Sequence, residues 1–125
     1  MKIAGFTFIR NAVQNDYPIV EAINSILPIC DEFVVAVGNS TDGTLELIQS
    51  IPSDKIRIIE TVWDESAREG GRVFALETDK AYQAISPDTD WAFYIQGDEC
   101  VHEDDLPKIE AAMQLHADNP TVEGL

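Results

Sequence analysis

The sequence predicts an α/β fold, an open and mostly parallel sheet with helices on both faces. Three observations carry that prediction. Short apolar runs alternate with stretches of helical periodicity in the order β-α-β-α-β-α-β-α, which implies parallel strands joined by right-handed crossovers. The first run, Ile3 to Ile9, is continuously apolar apart from Thr7, as in a strand covered on both faces. Polar and glycine-containing clusters follow the runs, and the carboxyl edge of such a sheet is where ligands bind.

The elements follow in order. Asp16 is placed to cap the first helix, with Pro18 in its first turn. Ile19, Ile23, Ile26 and Leu27 mark one helical face, and Pro28 and Asp31 end it. Glu32 to Val37 is the second strand. The turn cluster Asn39-Ser40-Thr41-Asp42-Gly43 leads into a helix carrying Leu45, Ile48 and Ile51, which Pro52-Ser53-Asp54 breaks. Ile56 to Val62 is the third strand, and Trp63 to Gly70 is a polar loop. Gly70-Gly71 precedes a helix running to about Ile85, with Phe74, Ala81 and Ile85 on its inner face. After a turn at Ser86 to Asp90, Trp91 to Ile95 is the fourth strand, and Asp104 to about His116 is the last helix. The acidic first turn of that helix complements its dipole. Residues 117–125 are weakly patterned and read as a linker or a cut end.

The 125 residues suffice for one domain with a core, and 45% hydrophobic with 25% charged residues is an ordinary globular composition. Eight basic residues stand against 23 acidic ones, for a net charge of −15. That balance argues against nucleic acid and anionic lipid as partners, since phosphate docking needs clustered Lys and Arg. No apolar run is long enough to span a bilayer and no signal peptide is read, so the expected location is the cytoplasm. Cys30 and Cys100 are too few for a disulfide scaffold and form no CxxC pair. Both are expected as reduced thiols, Cys100 as a buried structural one.

The densest chemistry is Gln96-Gly97-Asp98-Glu99, two carboxylates after a buried strand and a glycine. Hard oxygen ligands at a sheet's carboxyl end suit Mg²⁺ or Mn²⁺, particularly an ion that also holds phosphate. His102, three residues past Glu99, is weighed as a further ligand against a helix-capping role. Arg10 and Asn11 follow the first strand; Arg10 is weighed as a phosphate partner against a surface ion pair. Arg68 and Arg72 flank Gly70-Gly71 before a helix start, a setting that can meet phosphate. Asp42 suits a helix N-cap as well as a ligand contact. Trp63 is read either as a stacking platform or as a core residue at a strand end, and His116 as a surface residue.

The order of these motifs resembles glycosyltransferase family 2, with its GT-A fold. The Asn39-Ser40-Thr41-Asp42-Gly43-Thr44 run looks like the family's Asp-Asp-x-Ser-x-Asp-Gly-Thr segment, and Gln96-Gly97-Asp98-Glu99 sits where the family has Asp-x-Asp. The resemblance covers Ile3 to about His116. It implies a three-layer, Rossmann-like nucleotide-sugar-binding domain over residues 1–116, whose donor is a nucleoside diphosphate sugar, with UDP favoured. It implies Arg10, Asn11, Asn39, Ser40, Asp42 and Arg72 around the nucleotide, and Asp98, Glu99 and His102 around a Mg²⁺ or Mn²⁺ ion. Asp79 falls near a position where the family often has an Asn facing the donor. The implied activity is an inverting hexosyl transfer to an unknown acceptor, with the general base beyond residue 125. Two departures stand out: Gly38 or Asn39 replaces an acid after the second strand, and Gln96 replaces the first Asp of Asp-x-Asp. They leave a rival reading, a non-catalytic nucleotide-binding or interaction module on the same fold. A nucleotidyltransferase is disfavoured because Phe8-Ile9-Arg10-Asn11 is no Gly-rich phosphate loop.

Overall fold

The computed structural model describes residues 1–67 and 71–125. Four strands form one fully parallel sheet: β1 (Ile3–Ile9), β2 (Glu32–Gly38), β3 (Ile56–Thr61) and β4 (Trp91–Tyr94), in the spatial order β3-β2-β1-β4. The helices are α1 (Ile19–Ile26), α2 (Thr44–Gln49), α3 (Arg72–Gln83) and α4 (Leu106–His116). The predicted fold class is the observed one.

The strand order determines which face each helix covers. The chain moves from β1 to β2 to β3 in one direction, then crosses back to place β4 on the far side of β1. With right-handed crossovers, reversing direction moves the connecting helix to the opposite face. Ile19, Ala22, Ile23 and Ile26 of α1, Ile48 of α2 and Met113 of α4 accordingly pack with Phe33, Val35 and Val37. On the other face Phe6, Val34 and Ala36 meet Ala81 of α3. Successive β2 residues point to opposite faces, and both sets are apolar because both faces are covered.

The amino ends of the strands are tied by acids. Asp31 accepts from Ile3 N at 2.9 Å and Asp90 from Lys2 N at 2.7 Å, which sets β1 between its neighbours. Residues 117–125 contain turns but no helix or strand, and Val122 and Leu125 border a groove beside Trp91 and Met113. No helix among the described residues is long and apolar enough to cross a membrane.

Three local expectations are corrected. Asp16 does not cap α1: it has a left-handed φ of 56°, and Pro18, without a side-chain cap, occupies the N-cap. The loop must turn sharply there, and Asp is among the residues that tolerate that conformation. Phe74 is not on the inner face of α3; it is 53% exposed, and Val73, Glu77 and Ala81 face inward instead. A buried Glu at 77 disguises the helical stripe, so the sequence period is misread by one position. Cys100 is exposed, on the outside of the turn after β4. Cys30 is buried, and burial pushes its thiol up to about 12. The third helix begins at Arg72, directly after Gly71, as expected, while Arg68 and Gly70 lie outside the described residues.

Candidate functional site

The strand order reverses between β1 and β4: from β1 the chain runs outward to β2 and β3, then returns to place β4 on the other side of β1. Open α/β sheets bind ligands at such a switch point. A cavity of about 440 Å³ lies there, between Ile9-Arg10-Asn11 after β1 and Gln96-Gly97-Asp98 after β4. Its volume falls within the usual range for small-molecule sites, about 300–1,000 Å³. Gly97 lets the turn lie close to β1, since a Cβ there would stand 2.7 Å from Ile9 Cδ1.

The loops after β1 and β2 are knitted together by side chains. Asn11 has φ 52°, a left-handed conformation that Asn tolerates, and its Oδ1 accepts from Thr41 N at 2.9 Å. Ser40 Oγ accepts from Asn11 N at 3.0 Å and donates to the Gly38 carbonyl at 2.9 Å. Asp42 Oδ2 accepts from Gln14 N at 2.7 Å, while Oδ1 accepts from Thr44 N at 3.1 Å and Oγ1 at 2.5 Å. Burial pushes the Asp42 carboxyl up, but the bonds from Thr44 and Gln14 outweigh it and hold it below its ordinary 3.8. The buried Thr44 hydroxyl in turn accepts from Ala12 N at 2.9 Å. Asp42 therefore braces two loops, and Gly43, at φ 82°, is the N-cap of α2.

Arg10 forms the partition between this braced region and the cavity. Its Nε donates to the Asn39 carbonyl at 2.8 Å, its NH1 pairs with Glu65 at 2.8 Å, and its guanidinium lies 5.3 Å from the Trp63 ring. Asn39 Oδ1 accepts from Trp63 N at 3.1 Å. Asn39 and Ser40 line a separate recess between the ends of β2 and β3. The expected donor residues are thus at one edge of the sheet but divided: Arg10, Asn11 and Asp98 border the cavity, Asn39 and Ser40 the neighbouring recess. Arg72 is exposed as the first residue of α3 and does not line the cavity.

One wall of the cavity is aromatic. Phe8 stacks on Phe74 with centroids 5.7 Å apart, Trp63 lies edge-on to Phe74 at 5.8 Å, and Tyr94 continues the lining. The indole rests on Gly38, where a Cβ would stand 2.3 Å from Nε1, and that Nε1 is buried without a hydrogen-bond partner. The space that a side chain at Gly38 would take is filled by the indole. Behind the wall, Thr61 at the end of β3 donates to the fully buried Glu77 of α3, which pairs with Lys80 at 2.5 Å. This link holds α3, and with it Phe74, against the strand that leads to Trp63. Sequence reasoning missed Phe74, Tyr94 and Glu77 as residues of this region. Phe8 and Tyr94 are the last large side chains of two strands on one face, a signal that becomes readable only once β1 is known to pair with β4.

The acidic turn after β4 divides its roles. Asp98 is exposed and borders the cavity, and no hydrogen bond or ion pair holds its carboxylate among the described residues. Glu99 Oε1 accepts from Gln96 N at 3.0 Å, closing the turn. His102 Nδ1 accepts from Asp104 N at 3.1 Å, capping the short helical turn Glu103–Asp105, and it does not line the cavity. No group of three His, Cys, Asp or Glu residues suited to a metal exists among the described residues. The donor set fits Mg²⁺ or Mn²⁺ in one mode, in which one or two carboxylates anchor an ion that otherwise keeps water and substrate phosphate. Among the described residues Asp98 is free for that role, Glu99 has one oxygen left, and His102 has its Nδ1 committed.

No family model matches the sequence, and no curated protein matches it. Solved structures do. A crystal structure of S. aureus TarS 1–349 superposes with a TM-score of 0.66 at 18% identity, covering 100% of this chain and 38% of that one. The same protein crystallised in complex with UDP gives 0.64 at 21% identity over 93% of this chain and 33% of that one. A further TarS structure gives 0.60 at 20% identity, over 93% and 20%. At these identities the likeness is one of fold, and the chain spans 20% to 38% of the length of the TarS chains it matches.

Proposed function

We propose that this chain is the donor-binding part of a glycosyltransferase and holds a nucleoside diphosphate sugar in the cavity between β1 and β4. The observation that carries the reading is Asp98, an unengaged carboxylate at the switch point beside a cavity of ligand size. The family resemblance of the motifs and the shared fold with a protein crystallised with UDP support it.

The charges explain the division of labour. Among the described residues lining the cavity Arg10 is the one cation, and it already faces Glu65. A diphosphate brings more negative charge than Arg10 offsets, into a protein of net charge −15. Asp98, with Glu99 beside it, is the group that would hold Mg²⁺ or Mn²⁺ there. When bound, such an ion offsets the charge that develops on the departing nucleoside diphosphate. Arg10 and Asn11 orient the donor from the β1 side, and Asp42, Ser40 and Asn39 keep that loop in place. The acceptor hydroxyl and its general base belong to parts of the site outside these residues. Gln96, an amide beside Asp98, favours the second reading, a nucleotide-binding module without turnover.

Calorimetric titration with UDP, with and without Mn²⁺, tests the proposal. Binding strengthened by Mn²⁺ is the expected result. No binding to UDP in either condition overturns it, and binding of UDP that Mn²⁺ leaves unchanged favours the second reading.

A further inference from the structure

The proposed donor site leaves open how the nucleobase is recognised. Three residues that the family resemblance places around the nucleotide have their oxygen acceptors in use. Asp42 offers both carboxylate oxygens to Gln14 and Thr44, Asn39 Oδ1 is taken by Trp63 N, and Ser40 Oγ lies between Asn11 N and Gly38 O. These contacts serve the protein's own backbone, and none of the three residues lines the cavity. The cavity instead presents ring faces and edges from Phe8, Trp63, Phe74 and Tyr94. Phe74 is 53% exposed, an unusual setting for a Phe held in a stacked pair, and the Glu77 link to Thr61 and Lys80 keeps its helix in place. Asp98 and the side-chain amide of Gln96, which has no hydrogen-bond partner among the described residues, stand on the β4 side of the same cavity.

We infer that the nucleobase is held by stacking on the Phe8–Trp63–Phe74 wall, so that the site accepts nucleoside diphosphates with little regard to the base. Every base has a π-face, and stacking on aromatic side chains is tolerant of base identity for that reason. Discrimination requires hydrogen bonds that are left unpaired by the wrong base, and Asp42, Asn39 and Ser40, whose place in the motif suits that task, are engaged with the protein's own backbone. The inference rests on the donor-site reading and adds where the base lies and which bases are admitted.

The test is a calorimetric panel of UDP, CDP, GDP, ADP and inorganic pyrophosphate in the presence of Mn²⁺, on the full chain and on F74L and W63F. F74L keeps bulk at an exposed position and removes the ring; W63F keeps a ring. Four nucleotide affinities within tenfold of one another, all tighter than pyrophosphate, are expected. F74L should weaken all four about 5- to 100-fold and leave pyrophosphate unchanged, while W63F retains most of the affinity. A preference above tenfold for one base, or nucleotides no tighter than pyrophosphate, overturns the stacking proposal while leaving the donor-site reading intact. So does an F74L variant that binds as the parent does. Absence of binding by all five ligands overturns both.

Discussion

Two regions at the carboxyl edge of the sheet use their polar groups in opposite ways. Between the ends of β1 and β2, nearly every side-chain oxygen is spent on backbone N–H groups: Asn11 on Thr41, Ser40 on Asn11, Asp42 on Gln14 and Thr44, and Thr44 on Ala12. Between β1 and β4, Asp98 and the Gln96 amide are uncommitted and border a cavity with aromatic walls. Buried loop backbone must be satisfied by something, and the first region shows that need met by residues which, on motif alone, pass for ligand contacts. The second region has what the first lacks, groups whose solvation a ligand can replace. A side chain's place in a motif does not tell scaffold from site; the state of its hydrogen bonds does.

The contrast makes ordered predictions for stability. The largest effect belongs to neither loop but to the sheet beneath both. A Cβ at Gly5 would stand 2.4 Å from Phe33 Cδ2, and Phe33 is fully buried with no room to retreat. Gly5→Ala should cost about 3 kcal/mol by overpacking, read as a lower urea midpoint at an unchanged slope. Next comes the braced region. Thr44→Val keeps the shape but leaves Ala12 N without its acceptor, at a cost of about 2 kcal/mol. A change near zero would mean that the loops are held by something other than these bonds.

Asp42 gives a pH-dependent version of the same test. Its folded pKa is depressed, so its contribution is full above the unfolded value near 3.8 and is lost as the pH falls through the lower folded value. The stability gap between the parent and Asp42→Asn should therefore be widest near neutral pH and close below about pH 3.8. Denaturant melts at pH 7, 5 and 3 measure it. A gap that stays constant down to pH 3 would remove the carboxylate from the brace.

The fold was readable from the sequence because its signals are local and repeated. Apolar runs at Ile3, Glu32, Ile56 and Trp91, separated by helical periods, leave few alternatives to a parallel sheet. What was not readable depends on pairs distant in the chain. Asp16 looks like a cap from its neighbours, but the path from β1 to α1 needs a sharp left-handed turn there. Phe74 looks like core at a helical period, but the fully buried Glu77, bonded across to Thr61 of β3, faces inward in its place, and Phe74 lines the cavity. His102 looks like a ligand by its spacing from Asp98, yet its Nδ1 belongs to the helical turn that follows. Asp98 was legible because a strand, a glycine and a carboxylate in succession place the carboxylate at the edge whatever the rest of the chain does.

The smallest stability effect and the largest binding effect should coincide at Asp98. Asp98→Asn removes a charge that makes no intramolecular bond, so it should change folding stability by no more than about 0.5 kcal/mol. Glu103→Gln, at an exposed helix start nearby, is the matched control for loss of one negative charge. Titrating both variants with UDP in the presence and absence of Mn²⁺ is the most direct test of the account. The Mn²⁺-dependent affinity should fall at least about tenfold, near 1.4 kcal/mol, in Asp98→Asn and stay at the parent value in Glu103→Gln. Equal affinities in the two variants would contradict the account and return Asp98 to the role of a turn carboxylate.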